Sequence, residues 1–540
     1  MAKELASGSK GTLRKWIGAI VVALLLVGIL SDWIVEWLWM DSLGYDQVFW
    51  TIIITQFLLF FSAFIIALVV TIPNLHILAR RFKDMSFANS PLEQFEVDSS
   101  TPGAIKTVTY FFYAFGLFIS VMFAIAFFAQ WDTYFRFHWD ETVGTLDTVF
   151  SNDLGFYMFR LPFLELVQNS LTSLVFILSA LMGAIYFYAG NIGTQGININ
   201  MKSDAVKHLS INIGIWFLLL GWGYFLERYQ LLFNDRGVVN GAGYVDLTIK
   251  LPVLWTMFSL CLLLALFSFY QVIKPNIKPL LAGIIATLAF GLLANNLLPT
   301  AVQKFMVEPN ELKYETPYLE QNIENTRKAY NLDKVTEYSY NAQDTLKRSS
   351  ITANQTTIDN IRLWDPRLLI QTYRQLQEIR LYYQFNNVDV DRYYTNEGYQ
   401  QMMLAARELD TELPAQADTW VNRHLQYTHG HGIVMSPVAQ EGSSGDPRLV
   451  IKDIPPVSEI GLEVEQPAIY YGESDPSYKL VNTNVNELDY PSGDENVYNN
   501  YAGTGGVSIN NFLEKALFAW QFGDVNLLLT NSINENSKIQ

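Results

Sequence analysis

The chain has 540 residues, half of them hydrophobic and only 16% charged, with a formal net charge of −16. That balance excludes a string of ordinary soluble domains, in which about a quarter of residues are charged. The single cysteine, Cys261, excludes disulfide staples, and the acidic surplus argues against nucleic-acid binding, which needs clustered Lys and Arg.

A helix rises ~1.5 Å per residue, so about 20 mostly apolar residues cross the hydrocarbon layer of a bilayer. Seven segments meet this length: Trp16–Trp37, Trp50–Ile72, Thr107–Trp131, Phe163–Ala189, Val206–Leu226, Leu251–Ile273 and Pro279–Leu298. The first follows Lys10, Arg14 and Lys15 but lacks a small-x-small cleavage pattern at Ser31-Asp32-Trp33, so it reads as an uncleaved span. With residues 1–15 as a cytoplasmic tail, the inner segments carry twelve Lys and Arg residues. The outer loops carry five: Arg136, Arg160, Arg228, Arg236 and Lys250. Positive loops stay inside, so seven crossings export everything beyond Leu298. The expected organisation is a seven-helix transmembrane domain over residues 16–298 and an extracytoplasmic domain over residues 299–540.

The centres of these spans hold few ionisable groups, whereas ion-coupled transporters place such groups at mid-membrane. Ser120, Asn295 and Asn296 are polar but neutral, and are expected to join helices by hydrogen bonds. Gly214, Gly221, Gly223, Gly283 and Gly291 are expected at close helix contacts. The stretch "DLGFYMFRLPFLE" before the fourth span has the composition of an interfacial segment.

Residues 301–540 hold 19 basic and 33 acidic side chains, a net charge of −14. Asp365 and Pro366 predict the start of a helix that carries Leu369, Tyr373, Leu376, Arg380 and Tyr383 on one face. Further helices are expected over Glu397–Leu409, over Ala415–Leu425 and in "NNFLEKALFAWQF". From Ile433 onward short runs rich in β-formers alternate with Gly, Pro, Asp and Ser, which predicts antiparallel strands. The fold class is therefore a membrane α-helical bundle of about seven transmembrane helices followed by a soluble mixed α+β extracytoplasmic domain.

Six histidines occur in the chain, and three of them, His424, His429 and His431, fall in "HLQYTHGHGIVMSP". Three imidazoles with an open position would suit a catalytic zinc, but the spacing matches no zincin pattern and Gly430 marks a turn, so a hydrogen-bonded structural turn is the competing reading. Asn386–Asp391, "NNVDVD", offers oxygens to calcium without the glycine and glutamate of an EF-hand loop. Asp489, Asp494 and Glu495 form a candidate acid/base group, for which turn chemistry around Pro491, Ser492 and Gly493 is the plainer reading. Tyr382, Tyr383, Tyr393, Tyr394, Tyr470 and Tyr471 could stack against sugars, or serve as half-buried packing.

The stretches "GYDQVFWTIIITQF", "DLGFYMFRLPFLE", "NIRLWDPRLLIQTYRQLQEIRLYYQFNNVDVDRY", "TWVNRHLQYTHGHGIVMSP" and "DYPSGDENVY" resemble the bacterial uncharacterised protein family 0182 of multi-pass membrane proteins, over nearly the whole chain. The resemblance implies seven N-terminal spans and a large extracytoplasmic region, and it implies no activity or cofactor. Members of that family are longer, so the chain is expected to stop inside a domain. The leading functional expectation is a non-enzymatic envelope anchor or scaffold in the bilayer of the cell membrane, whose acidic outer domain binds a protein, glycan or lipid partner. The alternatives are an extracytoplasmic metal-dependent or acid/base hydrolase and a lipid or solute transporter.

Overall fold

The computed structural model describes residue 28 and residues 30–82, 104–195, 198–235, 240–342, 346–410, 412–474, 477–493 and 495–540. These form two compact units, one spanning Thr51–Tyr338 and one built from Ser339–Gln540 with the described residues up to Trp50.

Six helical stretches among the described residues are long and apolar enough to cross a membrane: Asp46–Arg81, Lys106–Phe128, Phe156–Tyr188, Ser203–Phe233, Asp246–Tyr270 and Ile277–Ala329. Their main bodies are α1 (Asp46–Phe82), α2 (Ala104–Phe128), α3 (Leu161–Tyr188), α4 (Ser203–Gln230), α5 (Leu251–Tyr270) and α6 (Ile277–Leu292). Six of the seven expected spans coincide with them, and the remaining one, Trp16–Trp37, lies largely outside the described residues. Large apolar side chains point outward: Val69 is 68% exposed, Leu266 66% and Phe111 64%. A helix that is apolar all round is stable when its surroundings are apolar too.

Four helical stretches open into a wide turn at the same kind of place. Phe156–Arg160, Asp246–Lys250, Leu293–Leu297 and Gln303–Val307 are π-helical, and each is followed by a residue and then proline: Leu161-Pro162, Leu251-Pro252, Leu298-Pro299 and Glu308-Pro309. Proline lacks an N–H and its ring presses on the carbonyl four residues back. The preceding turn widens accordingly, so that the N–H of Leu161, Leu251, Leu298 and Glu308 reaches the carbonyl five residues earlier.

The expected close contacts are present. A Cβ on Gly214 would lie 2.6 Å from the Phe269 ring, one on Gly221 3.3 Å from Cys261, and one on Gly283 2.9 Å from Leu264. Small residues there let α4, α5 and α6 approach. Ser120 does link two helices, its hydroxyl lying 3.0 Å from that of Thr71. Asn295 and Asn296 do not: both sit in the third π-segment and make no side-chain hydrogen bond among the described residues.

The second unit is strand-rich, and every strand pairing described in it is antiparallel. Helix α7 (Pro366–Gln377) starts as expected, with Asp365 accepting a hydrogen bond from the Arg367 N–H. It stops short of Tyr383, because Ile379 takes a left-handed conformation and Tyr383 joins a strand. Glu397–Leu409 is not a helix. Its core is a strand, β2 (Gly398–Ala406), which lies between β1 (Asp389–Thr395) and β4 (Ile433–Pro437) in a five-stranded sheet. The helical reading fails because both faces of β2 are covered: Met403 and Ala405 pack with Leu369 and Tyr373 of α7, while Met402 packs with Met435, Val450 and Ile451. A strand buried on both faces loses the alternation that marks a strand in sequence. Ala415–Leu425 is helical only from Trp420, with Thr419 Oγ1 accepting the Asn422 N–H at 3.2 Å.

The expected C-terminal helix forms as α8 (Phe512–Phe522). Its capping box joins Asn511 and Glu514, and Gly523 closes it in a left-handed conformation. It buries Phe518 and Ala519 against Leu425, Leu480, Leu527 and Ile539. Because the Asn511 side chain satisfies an otherwise unpaired helix N–H, Asn511→Ala should destabilise this unit by about 1 kcal/mol. Thermal unfolding of the detergent-solubilised chain checks this, and an unchanged midpoint would mean that the cap is dispensable.

Candidate functional site

Gly430 and His431 form a short strand, β3, which pairs with Ala468 and Ile469, and Asp489 lies on the strand Glu487–Ser492. The chain can run here only because residue 430 lacks a side chain, since a Cβ would meet the Arg407 carbonyl oxygen at 2.3 Å and the Glu408 Cα at 2.7 Å. Gly432, with φ +75°, then turns the chain into β4. The Arg407 guanidinium is fully buried and reaches the carbonyls of His431 (2.8 Å) and Gln377 (2.8 Å) instead of a carboxylate. Burial pulls its pKa down to about 10, partly offset by Tyr383 and Asp453.

On this frame the structure brings two of the three histidines together. His429 Nε2 lies 3.3 Å and His431 Nδ1 2.9 Å from the same oxygen, Oδ1 of Asp489. His424 does not join them: its Nδ1 lies 2.8 Å from the Tyr478 carbonyl and its ring stacks on that tyrosine. Among the described residues, no group of three His, Cys, Asp or Glu side chains is arranged to hold a metal. The carboxylate oxygen itself occupies the point on which the two imidazoles converge, where a metal would have to sit about 2 Å from each ligand.

A second carboxylate extends the chain. Fully buried Glu487 accepts from Thr428 Oγ1 (2.9 Å), Tyr470 OH (2.9 Å), the Asn482 N–H (2.8 Å) and the Tyr501 N–H (3.4 Å). The one Thr428 hydroxyl proton is thereby committed to Glu487, so His429 Nδ1, 2.9 Å away, donates to the Thr428 oxygen. At its other nitrogen His429 faces Asp489. His429 therefore links the Thr428–Glu487 group to Asp489. Burial would raise the Asp489 pKa, but the hydrogen bonds from His429 and His431, with their charge, outweigh it and hold the carboxyl well below the usual carboxylate range. His431 Nε2 is the loose end, buried with no hydrogen-bond partner among the described residues.

The other candidates are placed elsewhere. Asn386 and Asn387 turn their amides to Glu408 and Glu473, and Asp389–Asp391 run along β1, so the described contacts of this stretch are those of a strand and its lead-in. Glu495 lies on the strand that pairs with Glu487–Ser492, and Asp494 lies outside the described residues. Of the tyrosines, Tyr383 is in the core and Tyr470 is tied to Glu487, while Tyr394 and Tyr471 remain exposed. Sequence reasoning missed Glu487, Thr428 and Arg407. It also missed a polar cluster in the first unit, where Asn74 Oδ1 takes His208 Nε2 (3.1 Å) and Asn212 Nδ2 (2.7 Å), and Tyr186 OH meets His208 Nδ1 (2.9 Å). The spacing of His208 and Asn212, one helical turn apart on α4, is the signal that could have exposed it.

A carboxyl whose folded pKa is depressed contributes stability above its unfolded value, about 4, and loses it as pH falls toward the lower folded value. Asp489→Asn should therefore lower the unfolding temperature at pH 7, with the gap to wild type closing progressively below about pH 4. A gap of equal size at pH 7 and pH 3 would show that the ion pair is not its source.

The "Uncharacterised protein family (UPF0182)" model matches residues 13–540. A UPF0182 protein of Salinibacter ruber is 40% identical over 544 residues, covering 98% of this chain and 56% of that protein. One of Cupriavidus necator is 38% identical over 539 residues, covering 98% and 58%, and one of Pelotomaculum thermopropionicum is 40% identical over 541, covering 97% and 58%. The chain thus spans somewhat more than half the length of these relatives. No solved structure matches it. With a match that runs almost from end to end, the chain belongs to the uncharacterised protein family UPF0182.

Proposed function

We propose that this protein is a multi-pass protein of the cell membrane, with its N-terminus in the cytoplasm and its acidic C-terminal region outside, where that region serves as an envelope anchor or scaffold for a protein, glycan or lipid partner. The membrane part of this reading is supported by six apolar helices with outward-facing Val, Leu and Phe, and the orientation by the twelve-to-five distribution of Lys and Arg. The observation that carries the scaffold role is the closure of the Glu487–Thr428–His429–Asp489–His431 chain. Its carboxylates, hydroxyl and imidazoles spend most of their hydrogen-bonding capacity on one another, as groups that hold a fold together do. One observation favours the hydrolase reading: His431 keeps an unused nitrogen, the minimum that a general base needs.

Protease added to intact spheroplasts should cut beyond residue 339 and spare the N-terminal tail; the reverse pattern would overturn the orientation. Elemental analysis of the purified chain should find no stoichiometric transition metal. A bound metal that disappears in His429→Ala, or turnover of an envelope ester or glycan that disappears in His431→Ala, would replace the scaffold with an enzyme.

A further inference from the structure

The first unit contains a polar cavity that the proline-linked π-segments build. A space of about 220 Å³ is lined by residues of three of them, Asp246 and Lys250 from the second, Asn295 and Asn296 from the third, Gln303 and Lys304 from the fourth. An adjoining space of about 400 Å³ shares Asn234, Lys250, Asn295 and Asn296 with it. A π-turn carries an extra residue per hydrogen-bonded ring, which displaces its side chains from the packing stripe of the helix, and such turns recur at functional sites.

The groups inside are unequally occupied. Asp246 is fully engaged, by Lys250 Nζ (2.7 Å), Asn234 Nδ2 (2.6 Å) and the Gly243 N–H (3.1 Å). Glu315 is 4% exposed, yet among the described residues its carboxylate receives only the Tyr244 N–H, at 3.1 and 3.3 Å. A buried carboxylate commonly gathers two or three donors, so this one has capacity left. The amides of Asn295 and Asn296 have no partner among the described residues, and Lys304 makes no ion pair there. Carboxylates outnumber lysines across the two spaces: Glu227, Asp235, Asp246, Glu308 and Glu315 against Lys250 and Lys304. Asp246 already neutralises Lys250. What remains is an excess of carboxylate, two unpaired amides and one lysine, a set that fits a ligand carrying an ammonium group beside an anionic one. The same segment exposes Leu293, Leu297, Leu298 and Phe305. Exposed apolar side chains thus alternate along the chain with the polar ones that line the cavity, a pairing that suits the acyl and headgroup regions of a lipid.

We propose that this cavity binds the headgroup of a phospholipid with a primary amine, phosphatidylethanolamine chemistry. The ammonium meets the carboxylates, including Glu315. The phosphate meets Lys304 and the amide N–H groups of Asn295 and Asn296, and the acyl chains lie over Leu297 and Phe305. The proposal rests on the membrane placement above but not on the scaffold role. It differs from a transport path in requiring one retained ligand.

The test uses the full chain in detergent, titrated with dihexanoyl phosphatidylethanolamine, its phosphatidylcholine and phosphatidylglycerol counterparts, and O-phosphorylethanolamine, with tryptophan fluorescence as readout. Saturable binding of the ethanolamine lipid is expected, at least tenfold tighter than that of the other two lipids. Lys304→Ala, an exposed position whose side chain makes no hydrogen bond or ion pair among the described residues, should weaken it about tenfold, the value of one charge-assisted hydrogen bond, and Asn295→Leu with Asn296→Leu should weaken it further. Equal binding of all three lipids, or unchanged affinity in Lys304→Ala, would overturn the site. O-phosphorylethanolamine binding as tightly as the lipid would overturn the lipid as its source in favour of a soluble phosphoamine. If the ethanolamine lipid binds as expected while spheroplast protease spares the C-terminal region, the site stands and the proposed orientation fails, so the two can fail separately.

Discussion

A helix surrounded by hydrocarbon must satisfy its own backbone, because no water is present to accept a bond from a stray N–H or donate one to a stray carbonyl. Each proline placed one turn into a helix removes a donor and crowds a carbonyl. At Pro162, Pro252, Pro299 and Pro309 the chain answers in one way: the preceding turn widens and the bond lengthens in sequence from four residues to five. The consequence reaches beyond geometry. The widened turns carry Asp246, Lys250, Asn295, Asn296, Gln303 and Lys304, and these polar residues line one cavity instead of an apolar packing face. A backbone constraint imposed by proline thus places polar side chains around a cavity of the first unit.

The second unit solves a different problem, the burial of charge without a disulfide. Glu487, Arg407 and His429 are withdrawn from water and Asp489 is half-buried, and each of these groups would be costly to bury alone. Glu487 is surrounded by four donors. Arg407 finds backbone carbonyls and lies against the Phe385 ring, 5.4 Å from its centroid. By holding the His431 carbonyl, Arg407 also fixes the strand on which the imidazole rides, so core packing, strand placement and the histidine network depend on one guanidinium. A half-satisfied network of this kind costs more than an apolar core, which explains why so many of its members are committed to one another.

The same geometry explains the outcome for the three histidines. Local spacing puts His424, His429 and His431 within eight residues, close enough for a ligand set. Between His424 and His429, however, the chain passes from a π-turn at Asn422–Gln426 into β3, and the rings part. His429 and His431, two residues apart around Gly430, do present their nitrogens to one point, and Asp489 stands on it.

By itself the sequence determined where the chain is apolar for long enough to span, that the remainder is rich in antiparallel strands, where α7 and α8 begin, and which glycines sit at helix contacts. Those are properties of a local run, of a capping residue or of a missing Cβ, and they survive without knowledge of the rest of the chain. Only the tertiary structure decided that Gly398–Ala406 is a strand buried on both faces, that Asp489 arrives beside histidines 58 and 60 residues earlier, that Glu487 is their hidden second carboxylate, and that Asn295 and Asn296 face a cavity and not a neighbouring helix. The physical reason is the same in each case: burial, hydrogen-bond partner and cavity are set by groups distant in sequence, and composition and periodicity along one segment carry no record of what will pack against it.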